Sequence, residues 1–301
     1  MPDNRRMALL ARGQASRIRA ALRPGVRIAH AAARELGSTV TELRARRLFG
    51  RPAVGSGALL CVYRERNRDG VRALVDEARR LRMTVALWAL DDAAPAVAPF
   101  TVGVGRGLRM DLLNRLWEVV RESAPHQVVV ADDDVSFTHG SLAQLLEAAT
   151  VCGFGIAQPA QRWNSAWRHE ITRKRVLALA RQTTFVEIGP LFVVTGSWIP
   201  RVLPFPDGFG MGWGLDLVWL DLLREGCRLG VVDCVTVHQH DPAGGREYDT
   251  SREVERLRAE LRERNLESPA DAQCTLRSWH VWQARPPWLA ADAAREPRSE
   301  R

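Results

Sequence analysis

Between residues 58 and 157 the chain alternates short apolar runs with amphipathic stretches of helical period, and this alternation narrows the fold more than any other feature. Residues 58–63 (ALLCVY) have the length and composition of a buried strand. Residues 70–82 place Val71, Leu74, Val75, Ala78 and Leu81 at helical spacing. Residues 83–90 read as a second strand, stopped by Asp91-Asp92 and a proline-containing loop. A helix over 108–120 comes next, then a strand over 127–131, a helix over 141–149 and a strand over 154–157. Strands alternating with helices predict a mainly parallel sheet covered by helices on both faces.

Beyond Gln158 the pattern loosens. Residues 185–195 and 229–237 read as further strands, separated by a Gly- and Pro-rich run over 204–214. Residues 251–264 read as a charged helix, and the tail holds Trp279, Trp282 and Trp288 without a regular period. Ahead of the alternation, 7–22 and 26–36 have helical patterns, stopped by Pro24 and Gly37. Thr39 and Glu42 have capping-box spacing before a third helix with Val40, Leu43 and Leu48 on its apolar side. The expected organisation is a basic helical segment with its linker over 1–56, a catalytic domain over 57–265 and an irregular tail over 266–301.

Charge is distributed unevenly. Residues 1–51 carry twelve arginines and three acidic residues, a net of +9, against +8 for all 301 residues, so the remaining body is almost neutral. Such a segment suits an anionic membrane surface, a phosphate-bearing partner or nucleic acid, or is a solvated arginine bias, since Lys174 is the single lysine. No apolar run approaches the roughly 20 residues of a membrane span, and no apolar core separates the early arginines as a secretory signal requires. Five cysteines without a C-x-x-C pair read as reduced thiols, and the expectation is a cytoplasmic protein with peripheral contact at the inner membrane face through residues 1–51.

The residues that carry chemistry begin at Asp132-Asp133-Asp134, where the apolar run VVVA stops. Ligands of open α/β sheets bind outside the carboxyl ends of strands. Adjacent carboxylates repel, and a divalent cation with oxygen ligands relieves that repulsion. In an extended segment residues i and i+2 point the same way, so Asp132 and Asp134 can share one ion while Asp133 faces elsewhere. Taken alone, the triplet also fits a solvated acidic turn. A second constellation is Gly212-Trp213-Gly214-Leu215-Asp216, in which two glycines permit tight turns and close backbone approach beside a large flat side chain. Asp216 also fits helix N-terminal capping before LVWLDLL.

These residues resemble the GT-A glycosyltransferases. The triplet is similar to their DxD motif, and Gly105-Arg106-Gly107 followed by the helix holding Leu113-Asn114 is similar to the segment preceding it. A closer resemblance is to an uncharacterised domain-of-unknown-function group, common in plants, that looks like GT-A enzymes. Its motifs match Ile156-Ala157-Gln158-Pro159-Ala160, His169-Glu170-Ile171-Thr172, a Val186-Glu187-Ile188-Gly189-Pro190-Leu191-Phe192 run, residues 213–216 and residues 231–238, in that order.

The resemblance implies a GT-A-type Rossmann-like mixed sheet flanked by helices. It implies a Mn²⁺ or Mg²⁺ ion on Asp132, Asp134 and His238, with His240 and Asp233 competing for the histidine's place. It places Tyr63, Arg64 and Asp91, with Asp132, around the nucleotide of a nucleotide-diphosphate sugar donor. Asp216 becomes the base that deprotonates the acceptor, while Gln158, Glu187 and Trp213 shape the sugar or acceptor pocket. The acceptor is left open between a lipid-linked and a small molecule, and the outcome is expected to be inversion.

Two other classes compete. VVVADDDV also looks like the nucleophile strand of haloacid-dehalogenase-type phosphotransferases, but that motif normally opens its domain and is followed by a second acidic pair, absent here. A nucleic-acid-binding protein is motivated by the pI of about 10.1. Against it, the basic charge is confined to the N-terminal segment, and two tyrosines offer little base stacking.

Overall fold

The computed structural model describes residues 24–49, 56–165, 167–240 and 250–289. The expected α/β architecture is what it shows, a Rossmann-like mixed sheet flanked by helices. In chain order the main elements are α1 (Pro24–Leu48), β1 (Gly57–Tyr63), α2 (Arg68–Arg80), β2 (Thr84–Ala89), β3 (Thr101–Val104), α3 (Arg109–Val120), β4 (Gln127–Asp132) and β5 (Val135–His139). They continue with α4 (Leu142–Cys152), β6 (Ile156–Gln161), β7 (Ala178–Thr183), β8 (Leu191–Thr195), α5 (Leu215–Arg224), β9 (Leu229–Gln239), α6 (Ser251–Glu263) and β10 (Thr275–His280). The sheet runs β10-β7-β9-β6-β8-β4-β1-β2-β3, with β5 pairing β9 off this path.

The half from β4 to β3 is parallel, as the alternation predicts for β1, β2 and β4, because each strand returns through a connecting crossover. From β8 onward the sheet is mixed: β8 is antiparallel to both β4 and β6, and β9 is parallel to β6 but antiparallel to β7 and β5.

Both faces of β1 are buried, and the period of two sorts its side chains. Leu59, Cys61 and Tyr63 pack with α2 and α4; Ala58, Leu60 and Val62 pack with α3 and α5. β4 repeats the division, with Val129 and Ala131 on the first side and Val128 and Val130 on the second. Continued into the acidic triplet, this parity sends Asp132 to the α3 side and Asp133 to the α2 side.

Several expectations change. The pattern over 7–22 lies outside the described residues. The helices expected on either side of Gly37 are one helix, α1, which runs through Gly37 and Thr39, so Thr39 is not an N-cap. Gly37, Thr41, Ala45 and Phe49 form its buried stripe, while Val40 and Leu43 are exposed. A Cβ at Gly37 would lie 2.3 Å from Val176 Cγ1, so the small residue admits the chain over 176–177. At its other end, Phe49 meets Trp279 edge-on with ring centroids 5.7 Å apart.

The tail expected to be irregular carries β10, whose Trp279 is buried against this helix end; its polar sequence TLRSWH conceals a strand paired on one edge only. The strand expected over 185–195 is confined to Leu191–Thr195. Pro190 has no N–H for a ladder, and the residues before it form a loop. Strands β3, β5 and β7 have no counterpart in the apolar pattern; each is short and interspersed with polar residues. All five cysteines are free thiols, four of them buried. No described helix is long and apolar enough to cross a membrane.

Candidate active site

On the α3 side of the parallel strands, where β1 and β4 end, lies a cavity of about 370 Å³. Its walls bring together Arg64, Asp132, Asp134, Glu187, Trp213 and Asp216, six of the ten residues singled out from sequence. Tyr63, Asp91, Gln158 and His238 do not line it.

Asp132 ends β4. Its backbone N–H donates to Pro190 O at 2.7 Å, and its Oδ1 lies 2.7 Å from Arg109 Nη2. Burial raises the Asp132 carboxyl above the ordinary carboxylate range; Arg109 opposes that shift and the neighbouring Asp133 reinforces it. Asp133 also borders the cavity, but its carboxylate is held by Arg64: its Oδ2 accepts the Arg64 backbone N–H at 2.8 Å and lies 3.7 Å from the Arg64 guanidinium. Asp134 accepts from Gln239 Nε2 at 3.4 Å, and its carbonyl accepts the His240 N–H at 2.8 Å.

Asp216 occupies the first turn of α5. Gly214 caps that helix with φ of +91°, and Gly212 ahead of it has φ of +102°, so both flanks of Trp213 use conformations open to glycine. The turn aims Asp216 into the cavity with 6% exposure. Burial pushes its carboxyl up to about 7, against the lowering effect of the Leu217 N–H and its own N–H. Glu187 is buried beside it. Burial first, then the charges of Asp216 and Asp132, hold Glu187 well above the usual carboxylate range, while Arg168 and Gln161 pull the other way. Glu187 Oε2 accepts from Gln161 Nε2 at 2.8 Å, and the Glu187 N–H donates to Gln158 Oε1 at 2.6 Å.

The four residues outside the cavity have identifiable reasons. Tyr63 faces the α2 side by strand parity, and Val62 takes the cavity position; the Tyr63 hydroxyl bonds Thr101 Oγ1 at 2.8 Å and accepts the Ala94 N–H at 3.1 Å. Asp91 is exposed and accepts the Glu65 N–H at 2.8 Å, tying two strand-end loops together. Gln158 is fully buried behind Glu187, whose N–H its Oε1 accepts. His238 pairs in register with Ser136, one residue from Gln239, and successive strand residues face opposite ways. Gln239 therefore reaches the cavity in its place. The rings of His238 and His240 stand 4.7 Å apart, and the competing Asp233 is fully buried in an ion pair with Arg181 at 2.7 Å.

Among solved structures, the chain is similar to GalNAc-T7 with UDP, GalNAc and Mn²⁺, at 9% identity over 69% of this chain and 48% of that one, TM-score 0.49. It therefore spans about half the length of that protein. It is also similar to the mannosyltransferase PcManGT from Pyrobaculum calidifontis in complex with GDP-Man and Mn²⁺, at 16% identity over 72% and 68%, TM-score 0.45. A mycobacterial protein is similar at 14% identity over 82% and 91%, TM-score 0.42. No family model and no curated protein matches the chain. These likenesses assign no activity, which has to come from the side chains of the cavity.

Sequence reasoning overlooked Arg109, Arg168 and Gln239 and gave His169 no role beyond its place in a motif, although all four lie on the cavity wall. His169 is half-buried with its Nδ1 2.6 Å from Gln273 Nε2, and burial, then Arg168, lowers its pKa to about 4. Arg109 left one legible trace. It opens an amphipathic helix, and a cation at a helix N-terminus opposes the macrodipole unless an anion is near.

The donor set at the strand end suits a divalent ion that is completed from outside the protein. Among the described residues no three His, Cys, Asp or Glu side chains converge to hold a metal alone. Asp132 and Asp134 are two hard oxygen donors at one strand end, and Gly189 leaves room at Asp132, where a Cβ would stand 2.8 Å from Oδ2. Mg²⁺-type sites use one or two carboxylates completed by water and substrate phosphate, and the two aspartates fit such a site.

Proposed function

We propose that the chain is a glycosyltransferase that moves a sugar from a nucleoside-diphosphate donor to an acceptor hydroxyl, with inversion at the anomeric carbon. One observation carries this reading. A single cavity holds the strand-end carboxylates Asp132 and Asp134, four arginines in Arg64, Arg66, Arg109 and Arg168, and a buried acid, Asp216, whose carboxyl is pushed up to about 7. The motif order along the chain supports kinship with the GT-A-like group of unknown function.

Asp132 and Asp134 would hold Mn²⁺ or Mg²⁺, which when bound supplies Lewis-acid neutralisation of the leaving diphosphate. Arg64 and Arg66, on the loop after β1, offer cationic partners to the same phosphates. Asp216 takes the acceptor O–H proton; the acceptor oxygen bonds the anomeric carbon as the bond from that carbon to the diphosphate oxygen breaks. A base with its pKa near the working pH serves this step best, and burial of Asp216 brings it there. Glu187 is held by Gln158 and Gln161 to orient a sugar hydroxyl, and Trp213 offers a flat face to the ring.

A thermal-shift series with UDP and GDP, each with and without Mn²⁺, tests the reading. Stabilisation of the native state by a nucleotide that needs the ion is expected. A melting temperature unmoved by either nucleotide, with or without Mn²⁺, would rule it out.

A further inference from the structure

The geometry points to Arg109 as a diphosphate-binding residue that, before the donor arrives, holds Asp132 against a bare divalent cation, so that metal ion and nucleotide bind together. This rests on the glycosyltransferase reading of the cavity.

Arg109 is the first residue of α3, set against the helix macrodipole and 13% exposed at its side chain. A mostly buried guanidinium in that position needs an anion. In the structure the anion is Asp132, 2.7 Å away, with Ile188 O at 3.3 Å. Both contacts use the one nitrogen Nη2, and the rest of the fork makes no hydrogen bond to the described residues. A guanidinium carries five N–H donors in a plane suited to phosphate oxygens, so most of this fork is unspent on a residue that lines the cavity.

Electrostatics then ties two events together. A divalent ion placed on Asp132 meets the positive charge of Arg109 on the same carboxylate, and the two cations repel. The repulsion is relieved when a polyanion enters: Arg109 transfers its hydrogen bonds to the diphosphate, and Asp132 is released to the metal. Metal and nucleotide therefore favour each other, and the coupling is reciprocal.

Calorimetric titration of the full chain with MnCl₂ alone, with UDP or GDP alone, and with each pair tests this. In the wild type, either nucleotide tightens Mn²⁺ binding about ten-fold or more, and Mn²⁺ tightens the nucleotide by the same factor. Arg109→Met binds bare Mn²⁺ about ten-fold tighter, binds nucleotide at saturating Mn²⁺ about ten-fold weaker, and loses the coupling. Arg109→Lys keeps the charge without the fork, so it still disfavours bare Mn²⁺ while weakening the nucleotide. A residue with only a structural role moves both affinities the same way or neither, and that result in Arg109→Met overturns the proposal. Should Arg109→Met lack a thermal transition, Arg109→Lys and the wild type decide, and absence of coupling in the wild type overturns it. A wild type that binds neither nucleotide under any condition overturns the parent reading as well, whereas nucleotide binding with coupling unchanged by Arg109→Met overturns this inference alone.

Discussion

Gly189 stands against the carboxylate of Asp132, so closely that a side-chain carbon built there would lie 2.8 Å from Asp132 Oδ2. The loop leading into β8 thus sets how the end of β4 presents its first carboxylate. Gly189→Ala is expected to displace that carboxylate more than it disturbs the fold, because the atom met is the end of a side chain. Nucleotide affinity in the presence of Mn²⁺ should fall several-fold by calorimetry, with a melting temperature close to the wild type. Unchanged affinity would show that Asp132 Oδ2 has no part in binding.

The triplet should divide by face. Asp132→Asn and Asp134→Asn are expected to abolish Mn²⁺-dependent stabilisation by a nucleoside diphosphate. Asp133→Asn should keep it, because Asp133 faces Arg64, and should cost about 1 kcal/mol of stability from a weakened charged hydrogen bond. Thermal shifts of the three variants, with and without chelator, check this; nucleotide stabilisation that persists in excess chelator would remove the metal from the account.

Asp216 links activity and stability to pH. As a base it must be ionised, so transfer should rise with pH through an apparent pKa near 7. Asp216→Asn should lower turnover by about 10²-fold or more while sparing nucleotide binding. The stability effect has the opposite sense. The folded carboxyl sits above its ordinary 3.8, so between 3.8 and about 7 the native state binds more protons than the unfolded chain, and stability falls as pH rises through that window. Asp216→Asn should therefore gain melting temperature relative to the wild type more at pH 8 than at pH 5. A pH-independent difference would mean that Asp216 does not titrate in this range.

Arg181 and Asp233 are both fully buried and share two hydrogen bonds, from Nε at 2.7 Å and from Nη2 at 3.0 Å. Arg181 also donates to the carbonyls of Ile171 and Arg173, while Asp233 accepts the Arg175 N–H, so the pair anchors the chain that continues from Arg168 and His169 on the cavity wall. Asp233→Ala should cost about 3–5 kcal/mol in denaturant unfolding, because it strands a buried guanidinium. A cost below about 1 kcal/mol would show that water reaches Arg181.

Period and position along the chain determined much of this protein by themselves. The alternation over 58–157 fixes the parallel core of β1, β2 and β4, since apolar residues on both faces of β1 and β4 leave no other burial. The same period of two, carried into the triplet, separates Asp132 from Asp133, and the glycines at 212 and 214 mark the turn that places Asp216. These are local properties, set by backbone geometry within a few residues. Tertiary structure alone decided the rest. Register between β5 and β9 brought Gln239 rather than His238 to the cavity, because a shift of one residue exchanges faces. Packing of Gly37 under Val176 let α1 run through a glycine read as its end. Arg109 met Asp132, and Gln158 came to lie behind Glu187, through contacts between residues 23 and 29 positions apart. Such contacts depend on how strands and loops close in space, and no periodicity within a single segment encodes that closure.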